Sequence, residues 1–202
     1  MWGLYKTQPS FVLGFHGCDE ETGRAVIAGE RDLKPSENAY DWLGNGVYFW
    51  EGSPQRAWEW AQSVHKRRPQ FLKSPFVVGA VIDLGQCFNL TDLGAAAELR
   101  MAFDLYKAAI QKEGLSMPEN KGGTRDRLLR YLDRAVIEFM HQMRAQAPGQ
   151  GGKPLAPYDT ARAPFLEGDD LYPGAGLKAA SHIQIAVRNP DCIKGYFLPR
   201  KS

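Results

Sequence analysis

Short apolar runs along the chain predict β-strands that alternate with periodic helical segments. The run at residues 11–15 is too short for a helix and predicts a buried strand. Similar runs predict strands at residues 47–50, 76–84, 181–187 and 193–198, and a short extended piece at 87–90. The pattern is that of a protein whose sheet is assembled from distant parts of the chain.

Helices are predicted where apolar residues recur with helical spacing behind a capping residue. Asp19 is a plausible N-cap for a helix that runs to about Ala28 and stops at Gly29. Ser53 and Pro54 form a typical N-cap and first-turn pair for a second helix. Two longer helices are predicted at residues 95–112 and 124–145, the second being the longest periodic segment.

Residues 147–180 are rich in proline and glycine and interrupt this pattern. A connection of this length without secondary structure of its own is usually functional or mobile. We therefore predict one domain over residues 1–202, with a helical segment at about 95–146 and a functional loop at about 147–180.

Composition narrows the class of protein. An apolar content of 44% supports a proper core, and a net charge of +2 is too small to argue for nucleic acid by itself. No apolar run is long enough to span a bilayer, and residues 1–6 lack the long apolar region of a signal peptide. The three cysteines, Cys18, Cys87 and Cys192, are widely spaced and odd in number, which argues against a disulfide framework or a metal site. We expect a cytoplasmic protein that contacts neither metal nor membrane.

Two positions break the local pattern. His16 ends an apolar run and precedes Gly17, and Tyr48 follows the pair Gly44 and Gly46. Such departures from local consistency are expected at functional sites. Taken singly, each has an ordinary interpretation: a core histidine with one partner, and a glycine turn that feeds an aromatic strand.

Taken together, these pieces resemble the NAD-binding core of ADP-ribosyltransferases. His16-Gly17, then Gly44-Asn45-Gly46-Val47-Tyr48-Phe49, then a helix with alanines and aromatics match the branch shared by diphtheria-type toxins and poly(ADP-ribose) polymerases. The matching stretch, residues 11–61, is about a quarter of the chain. The resemblance implies an α+β fold in which split antiparallel β-sheets form an NAD cleft with flanking helices.

A third motif of that family lies on a late strand. Many members carry a glutamate there, whereas this chain has Gln184 ahead of an apolar run. Taken by itself, Gln184 is interpreted as an outward residue on a half-buried strand. An amide can hydrogen-bond but carries no charge, so an acid from the preceding loop is a candidate to assist. Glu167 is the first choice, and Asp169 and Asp170 are weaker ones.

The resemblance implies a site and a role for each residue. His16 would bond the adenosine ribose, main-chain atoms of Gly17 would hold the carboxamide, and Tyr48 would stack on nicotinamide. A second aromatic from the following helix would be Trp58 or Trp60, although the equivalent position falls near Glu59. The implied catalytic residues are His16, Tyr48, Gln184 and Glu167. The implied NAD⁺ contacts are His16, Gly17, Tyr40, Gly46, Tyr48, Trp58, Trp60 and Gln184.

The implied activity is mono-ADP-ribosyl transfer from NAD⁺, as substrate, to a macromolecular acceptor, without a metal. A small transferase of this kind resembles a bacterial toxin or antiviral effector that an antitoxin-like partner keeps silent. Basic clusters at residues 65–68 and 125–134 favour RNA slightly over protein as acceptor, although each also reads as a solvated helix surface. The alternatives are an NAD glycohydrolase and a non-catalytic NAD or ADP-ribose binding module. A tRNA 2′-phosphotransferase shares the general fold, but its basic catalytic set is not seen in the sequence.

Overall fold

The computed structural model describes residues 11–122, 127–146 and 155–200. Within these ranges the chain is mixed α+β, with one mostly antiparallel seven-stranded sheet and four α-helices. The strands are β1 (Phe11–Asp19), β2 (Val47–Glu51), β3 (Pro75–Asp83), β4 (Cys87–Asn89), β5 (Thr160–Phe165), β6 (His182–Val187) and β7 (Ile193–Phe197). The helices are α1 (Glu20–Ile27), α2 (Pro54–Arg67), α3 (Leu93–Lys112) and α4 (Tyr131–Gln146).

The strands are ordered β4-β5-β6-β2-β1-β3-β7, and among these pairs only β4 and β5 run parallel. β1 pairs with β3 along its whole length. By contrast, β1 pairs with β2 at only two positions, Gly14 opposite Glu51 and Phe15 opposite Trp50. Beyond Phe15 the two central strands separate, so the sheet is split in its middle.

The two faces of the sheet bury different helices. Successive side chains of a strand point to opposite faces of the sheet. Phe49 and Ile185 therefore lie on the face where they form a core with Val26 of α1. The opposite face carries Ala186, packed with Ile137 of α4, beneath α3 and α4. α2 packs on that same face over β1 and β3, where its buried residues approach the strands. An interval of sheet between α2 and α4 therefore lies at the centre of this face.

Local signals explain why α1 begins and ends as predicted. Asp19 accepts from the N–H of Glu21 at 3.2 Å and from the N–H groups of Lys73 and Ser74 at 2.7 and 3.0 Å. The bond from Ser74 is the largest reason why the pKa of Asp19 is lowered. Gly29 follows the helix with φ of +76°, a conformation that glycine adopts without strain.

The fourth helix differs from its prediction at its beginning. It was expected over residues 124–145 but starts at Tyr131; residues 124–126 lie outside the described ranges. The main chain of Leu129 instead pairs with Lys121 through two bonds of 2.8 Å. The Oδ1 of Asn120 then accepts from the N–H groups of Leu132 and Asp133 and caps α4 from a distant loop. This cap comes from a residue that helical periodicity does not register.

Residues 147–180 are not a structureless loop. Residues 147–154 lie outside the described ranges, but β5 occupies Thr160–Phe165 and inserts between β4 and β6. Pro164 made this strand hard to predict, yet β4 pairs only with residues 160–162, so the missing N–H of Pro164 costs no ladder bond on that side. Residues 166–181, called the flap below, fold back on themselves with bonds such as Ala180 N–H to the carbonyl of Glu167 at 3.0 Å.

Among the described residues, no helix has the length and apolar character needed to cross a membrane.

Candidate functional site

A row of aromatic rings crosses the sheet in the interval between α2 and α4. Trp60 of α2 lies 5.9 Å from Trp50, and Trp50 lies 6.2 Å from His182, measured between ring centroids. His182 stacks on Phe165 at 5.5 Å, and Phe165 meets Trp42 at 4.9 Å. The row joins five parts of the chain on one face and marks the candidate site.

Gln184 lies beside this row. It is opposite Trp50 on one neighbouring strand and opposite Ala163 on the other, and it shares its face of the sheet with His182. Its Oε1 accepts a bond of 2.5 Å from the indole Nε1 of Trp42. Because the oxygen is occupied, the NH₂ group of Gln184 is the end of the amide that is left to meet a ligand.

His16 contacts Tyr48 at the point where β1 and β2 separate. Its Nδ1 lies 2.8 Å from the carbonyl oxygen of Tyr48, and since a carbonyl only accepts, Nδ1 carries the proton. Burial lowers the pKa of His16, although the bond to Tyr48 opposes this, so the ring is neutral with a lone pair on Nε2. The ring lies 5.8 Å from Phe49. His16 therefore projects to the Phe49 face, opposite the side chains of Tyr48 and Gln184.

The phenol of Tyr48 ties the glycine turn to β2. Its hydroxyl donates to the carbonyl of Gly44 at 2.8 Å and accepts from the N–H of Leu43 at 2.9 Å. Burial raises the pKa of this phenol well above its ordinary value, so it remains protonated. The turn is held from the other side by Glu138, which accepts from the N–H of Asn45 at 2.7 Å. With the hydroxyl engaged, the ring is what Tyr48 offers to a ligand.

Gly17 presents main-chain groups to the split. The carbonyl of Leu13 accepts from Gly52 N–H on the β2 side at 2.8 Å. In an antiparallel sheet, residues two apart on a strand point their N–H and C=O groups to the same neighbouring strand. Gly17 is four residues after Leu13, so its main-chain groups also point towards β2. It lies beyond Phe15, the last residue of β1 that pairs with β2. A Cβ at Gly17 would lie 2.4 Å from the carbonyl oxygen of Ala57, so close packing of α2 explains why the residue is glycine.

Of the two tryptophans of α2, the structure brings Trp60 to the split. Its ring would lie 3.0 Å from a Cβ at Gly17. Trp58 is half-buried. It precedes Trp60 by two residues, and in a helix of 3.6 residues per turn the two side chains point about 200° apart. Glu59, the equivalent position in the resembled family, pairs with Arg56 at 2.8 Å.

Tyr40 and Gly46 lie at the entrance to β2. Tyr40 is 40% exposed and meets the ring of Tyr131 edge-on at 6.3 Å. Gly46 exchanges two main-chain bonds with Ser36, and a Cβ there would lie 2.7 Å from the carbonyl oxygen of Val187. Backbone packing accounts for Gly46, whereas Tyr40 remains available at the rim of the site.

Glu167 reaches the aromatic row from the base of the flap. Its Oε2 accepts from Arg56 of α2 at 2.6 Å and lies 3.8 Å from Nδ1 of His182. The arginine balances much of the negative charge that Glu167 would bring to the site. Asp170 pairs with Lys178 inside the flap at 2.6 Å, and the carbonyl of Asp169 accepts from the flap main chain. Glu167 is the acid of the three that the structure places against the row.

Two arginines of the basic segment before and within α4 turn inward, whereas Arg127 is exposed. Arg130 lies over the ring of Phe165 at 4.9 Å, and Arg134 donates to the side chain of Asn45 at 2.7 Å. Arg125 lies outside the described ranges. At the end of α2, by contrast, residues 66–68 keep three cations exposed.

Sequence reasoning assigned no function to four residues of the site: Trp42, Trp50, Arg56 and His182. One signal was present, because His182 precedes Gln184 by two positions and a strand repeats its faces every two residues. For the tryptophans and Arg56 the sequence held no such signal, since their neighbours in the site come from distant parts of the chain.

Two further features of the described residues concern metal binding and the space around the site. Within the described ranges, no group of three or more His, Cys, Asp or Glu side chains is placed to hold a metal ion. An apolar cleft of about 400 Å³ opens between α3 and α4, with Trp42 in its wall. Trp42 therefore contacts both this cleft and Gln184.

Comparison with known proteins adds one distant relative. The chain is 26% identical over 110 residues to an uncharacterized protein of Methanocaldococcus jannaschii. The match covers 54% of this chain and 49% of the relative, so it spans about half the length of that protein. No protein-family model matches the chain, and no solved structure matches it.

Proposed function

We propose that this protein is an NAD⁺-dependent mono-ADP-ribosyltransferase with the fold of that superfamily. It would break the bond between nicotinamide and ribose and transfer ADP-ribose to a macromolecular acceptor. The observation that supports this most is the placement of His16, Tyr48 and Gln184 on three neighbouring strands, β1, β2 and β6, around a split in the sheet. These residues are far apart in sequence, and the sheet brings their strands together, with His16 on one face and the side chains of Tyr48 and Gln184 on the other.

The split accounts for how one ligand would contact both faces of the sheet. His16 lies on one face and Gln184 on the other, so a dinucleotide that touches both has to pass between β1 and β2. The main-chain groups of Gly17 point into that gap and match a carboxamide, which has one donor group and one acceptor. The lone pair on Nε2 of His16 would accept from a ribose hydroxyl, and the NH₂ group of Gln184 would donate to another.

The reaction needs little acid catalysis at the leaving group. Nicotinamide is cationic in NAD⁺ and departs neutral, while positive charge develops on the ribose. Gln184 supplies no charge, and Glu167 is paired with Arg56. Positioning of the bent substrate therefore has to contribute most of the rate enhancement. An uncharged third residue also counts against chain elongation, so a single ADP-ribose is transferred.

The proposed biological role is that of a cytoplasmic toxin or antiviral effector, kept silent by an inhibitory partner. RNA is favoured slightly over protein as the acceptor because Lys66, Arg67 and Arg68 stay exposed at the end of α2. Labelled NAD⁺ incubated with total RNA and with total protein tests this assignment. Label in RNA with mass increments of one ADP-ribose supports it, label in protein alone removes RNA, and ladders of several units contradict mono-transfer.

A binding module without activity is the second candidate, and the neutral amide of Gln184 favours it. Nicotinamide release from NAD⁺, measured for the wild type and for Tyr48→Phe, distinguishes the transferase from the binding module. The phenylalanine keeps the ring but loses the hydroxyl bonds to Leu43 and Gly44. Release by the wild type that falls in the variant supports the enzyme. NAD⁺ binding without any release supports the module, and release of free ADP-ribose without labelled macromolecule supports a glycohydrolase.

A further inference from the structure

Buried polar atoms without a hydrogen-bond partner occur on three residues of the candidate site. Among the described residues, Nε1 of Trp50, Nε of Arg56 and Nε2 of His182 are all buried and lack a partner. Buried polar atoms in folded proteins are nearly always hydrogen-bonded, so each exception needs an explanation. Two of these exceptions flank Gln184, and the third is on the arginine that pairs with Glu167, so we expect a polar group of a ligand in this part of the site.

His182 is the most enclosed member of this group. Its side chain is only 3% exposed. Phe165 stacks on the imidazole with an interplanar angle of 25°, and Trp50 lies across from it with ring centroids 6.2 Å apart. His182 and Gln184 are two residues apart on β6, so both side chains leave the same face of the sheet. The ring is therefore held in one plane next to the proposed reaction centre.

The hydrogen bonds of His182 fix its tautomer. Nδ1 lies 2.8 Å from the carbonyl oxygen of Ala180, which can only accept, so the proton is on Nδ1 and the lone pair is on Nε2. The charged groups around the ring are Arg56 from α2, Glu167 from the flap and Arg130 over the ring of Phe165. Burial lowers the pKa of His182, and Arg56 adds to this, while the carbonyl of Ala180 and Glu167 oppose it. The ring is a neutral base at neutral pH.

The two unpartnered ring nitrogens differ in kind, and this selects a ligand. Nε1 of Trp50 can only donate, whereas Nε2 of His182, in this tautomer, can only accept. A hydroxyl group or a water molecule can do both at once, accepting from the indole and donating to the imidazole. A carboxylate has no proton for His182, and a guanidinium or ammonium has no lone pair for Trp50.

We propose that His182 is the general base of the transfer reaction and that the group it activates is a hydroxyl. This inference rests on the proposed function. The hydroxyl oxygen forms the bond to the anomeric carbon of the ribose as the bond to nicotinamide breaks, and that electron pair neutralises the nicotinamide nitrogen. The hydroxyl proton passes to Nε2 of His182. Glu167, 3.8 Å from Nδ1, then lies close to the imidazolium that forms.

The flap supplies two neighbours of this base: the carboxylate of Glu167, 3.8 Å from Nδ1, and the carbonyl of Ala180, 2.8 Å from Nδ1. Glu167 at the base of the flap pairs with Arg56 of α2 at 2.6 Å, and the flap ends at residue 181, directly before His182. Because the side chain of His182 is only 3% exposed, bulk water has little access to the base.

His141 provides a matched control for a test. It is also a partly buried histidine whose Nε2 is buried and lacks a partner among the described residues, but it belongs to α4 and lies between Phe88 and Tyr158. Neither of those neighbours belongs to the aromatic row. Loss of His141 reports what removing a buried imidazole does to the protein, without removing the proposed base.

The experiment measures nicotinamide release from NAD⁺ across pH for the wild type, His182→Gln and His141→Gln, in buffer with and without added methanol as a simple hydroxyl acceptor. We expect His182→Gln to lower release by about 10²-fold or more and to lose the fall in rate at acid pH, with wild-type thermal unfolding. His141→Gln is expected to retain the acid limb, and the wild type to form methyl ADP-ribose. Equal rates in the wild type and His182→Gln would overturn the base while leaving the transferase intact.

A wild type that binds NAD⁺ but releases no nicotinamide would overturn the transferase itself, and the general base with it. ¹⁵N chemical shifts of His182 supply a readout that does not depend on turnover. The expected result is a protonated Nδ1 and an unprotonated Nε2 at neutral pH. A proton on Nε2 would overturn the inference even in an active enzyme.

Discussion

The indole nitrogen of Trp42 donates to the side-chain oxygen of Gln184 across 2.5 Å, although 142 residues separate them in the chain. This bond turns the amide so that its NH₂ group faces away from the indole. It also links the loop before β2 to the centre of β6. The orientation of the Gln184 side chain thus depends on two distant segments of the chain.

Trp42→Phe tests this link. Phenylalanine keeps an aromatic ring beside Phe165 but removes the donor to Gln184, leaving the amide free to rotate. We expect a fall of about 10-fold in kcat/KM for nicotinamide release, the equivalent of one hydrogen bond, with little change in thermal unfolding. Steady-state kinetics on the purified variant measure this, and an unchanged kcat/KM would show that the orientation of Gln184 does not matter.

Gln184→Glu tests whether the neutral amide limits the rate. The indole of Trp42 can donate to one carboxylate oxygen as it does to the amide, so the second oxygen faces the ligand and brings a negative charge to the developing ribose cation. We expect nicotinamide release to rise by about 10-fold, because charge stabilisation acts on the transition state. Gln184→Ala, which loses both bonds, should fall below the wild type. A slower Gln184→Glu would mean that the site is not built around a ribose cation.

Gly17→Ala tests whether the close packing of α2 against β1 requires glycine at this position. The new Cβ would lie 2.4 Å from the main-chain oxygen of Ala57, which cannot move without shifting α2. We expect a loss of about 1–3 kcal/mol in the free energy of unfolding, measured by urea denaturation. Gly195→Ala in β7 is the control, since nothing lies within 4 Å of a Cβ there. If Gly17→Ala unfolds like the control, the close approach of α2 is not what selects glycine.

The elements that the sequence predicted well are those whose causes are local. The cap at Asp19, the stop at Gly29 and the Ser53-Pro54 start lie next to the helices that they bound, and each was confirmed. The strands β1, β2, β3, β6 and β7 follow from apolar runs that need no knowledge of their partners. Their order in the sheet, which brings β6 against β2, cannot be deduced from those runs.

The features that were missed depend on distant partners. The start of α4 is set by Asn120, a capping residue from another loop. β5 contains Pro164, which argues against a strand until the shortness of β4 is known. His182 was read as part of a strand, because its importance comes from Phe165, Trp50 and the absence of a partner on Nε2. None of these can be deduced from spacing along the chain.

Acid sensitivity of the fold follows from the buried histidines. Burial, with help from the nearby Arg188, lowers the pKa of His141 from 6.5 to about 4. Between these two pH values the unfolded chain binds a proton that the folded protein does not, so the free energy of unfolding falls as pH falls from 6.5 towards 4. His16 and His182, whose pKa values are also lowered, begin to contribute below the same upper limit.

His141→Gln should therefore flatten the acid side of the stability profile. Urea denaturation of the wild type and the variant at several pH values gives the slope of the free energy of unfolding against pH. We expect this slope on the acid side to be smaller in the variant by up to about 1.4 kcal/mol per pH unit. Above pH 6.5 the imidazole is neutral in both states, so any difference there measures packing alone. Because the comparison is between slopes, a uniform loss of stability in the variant does not disturb it. Parallel profiles over the whole acid range would show that His141 titrates alike in the folded and unfolded chain.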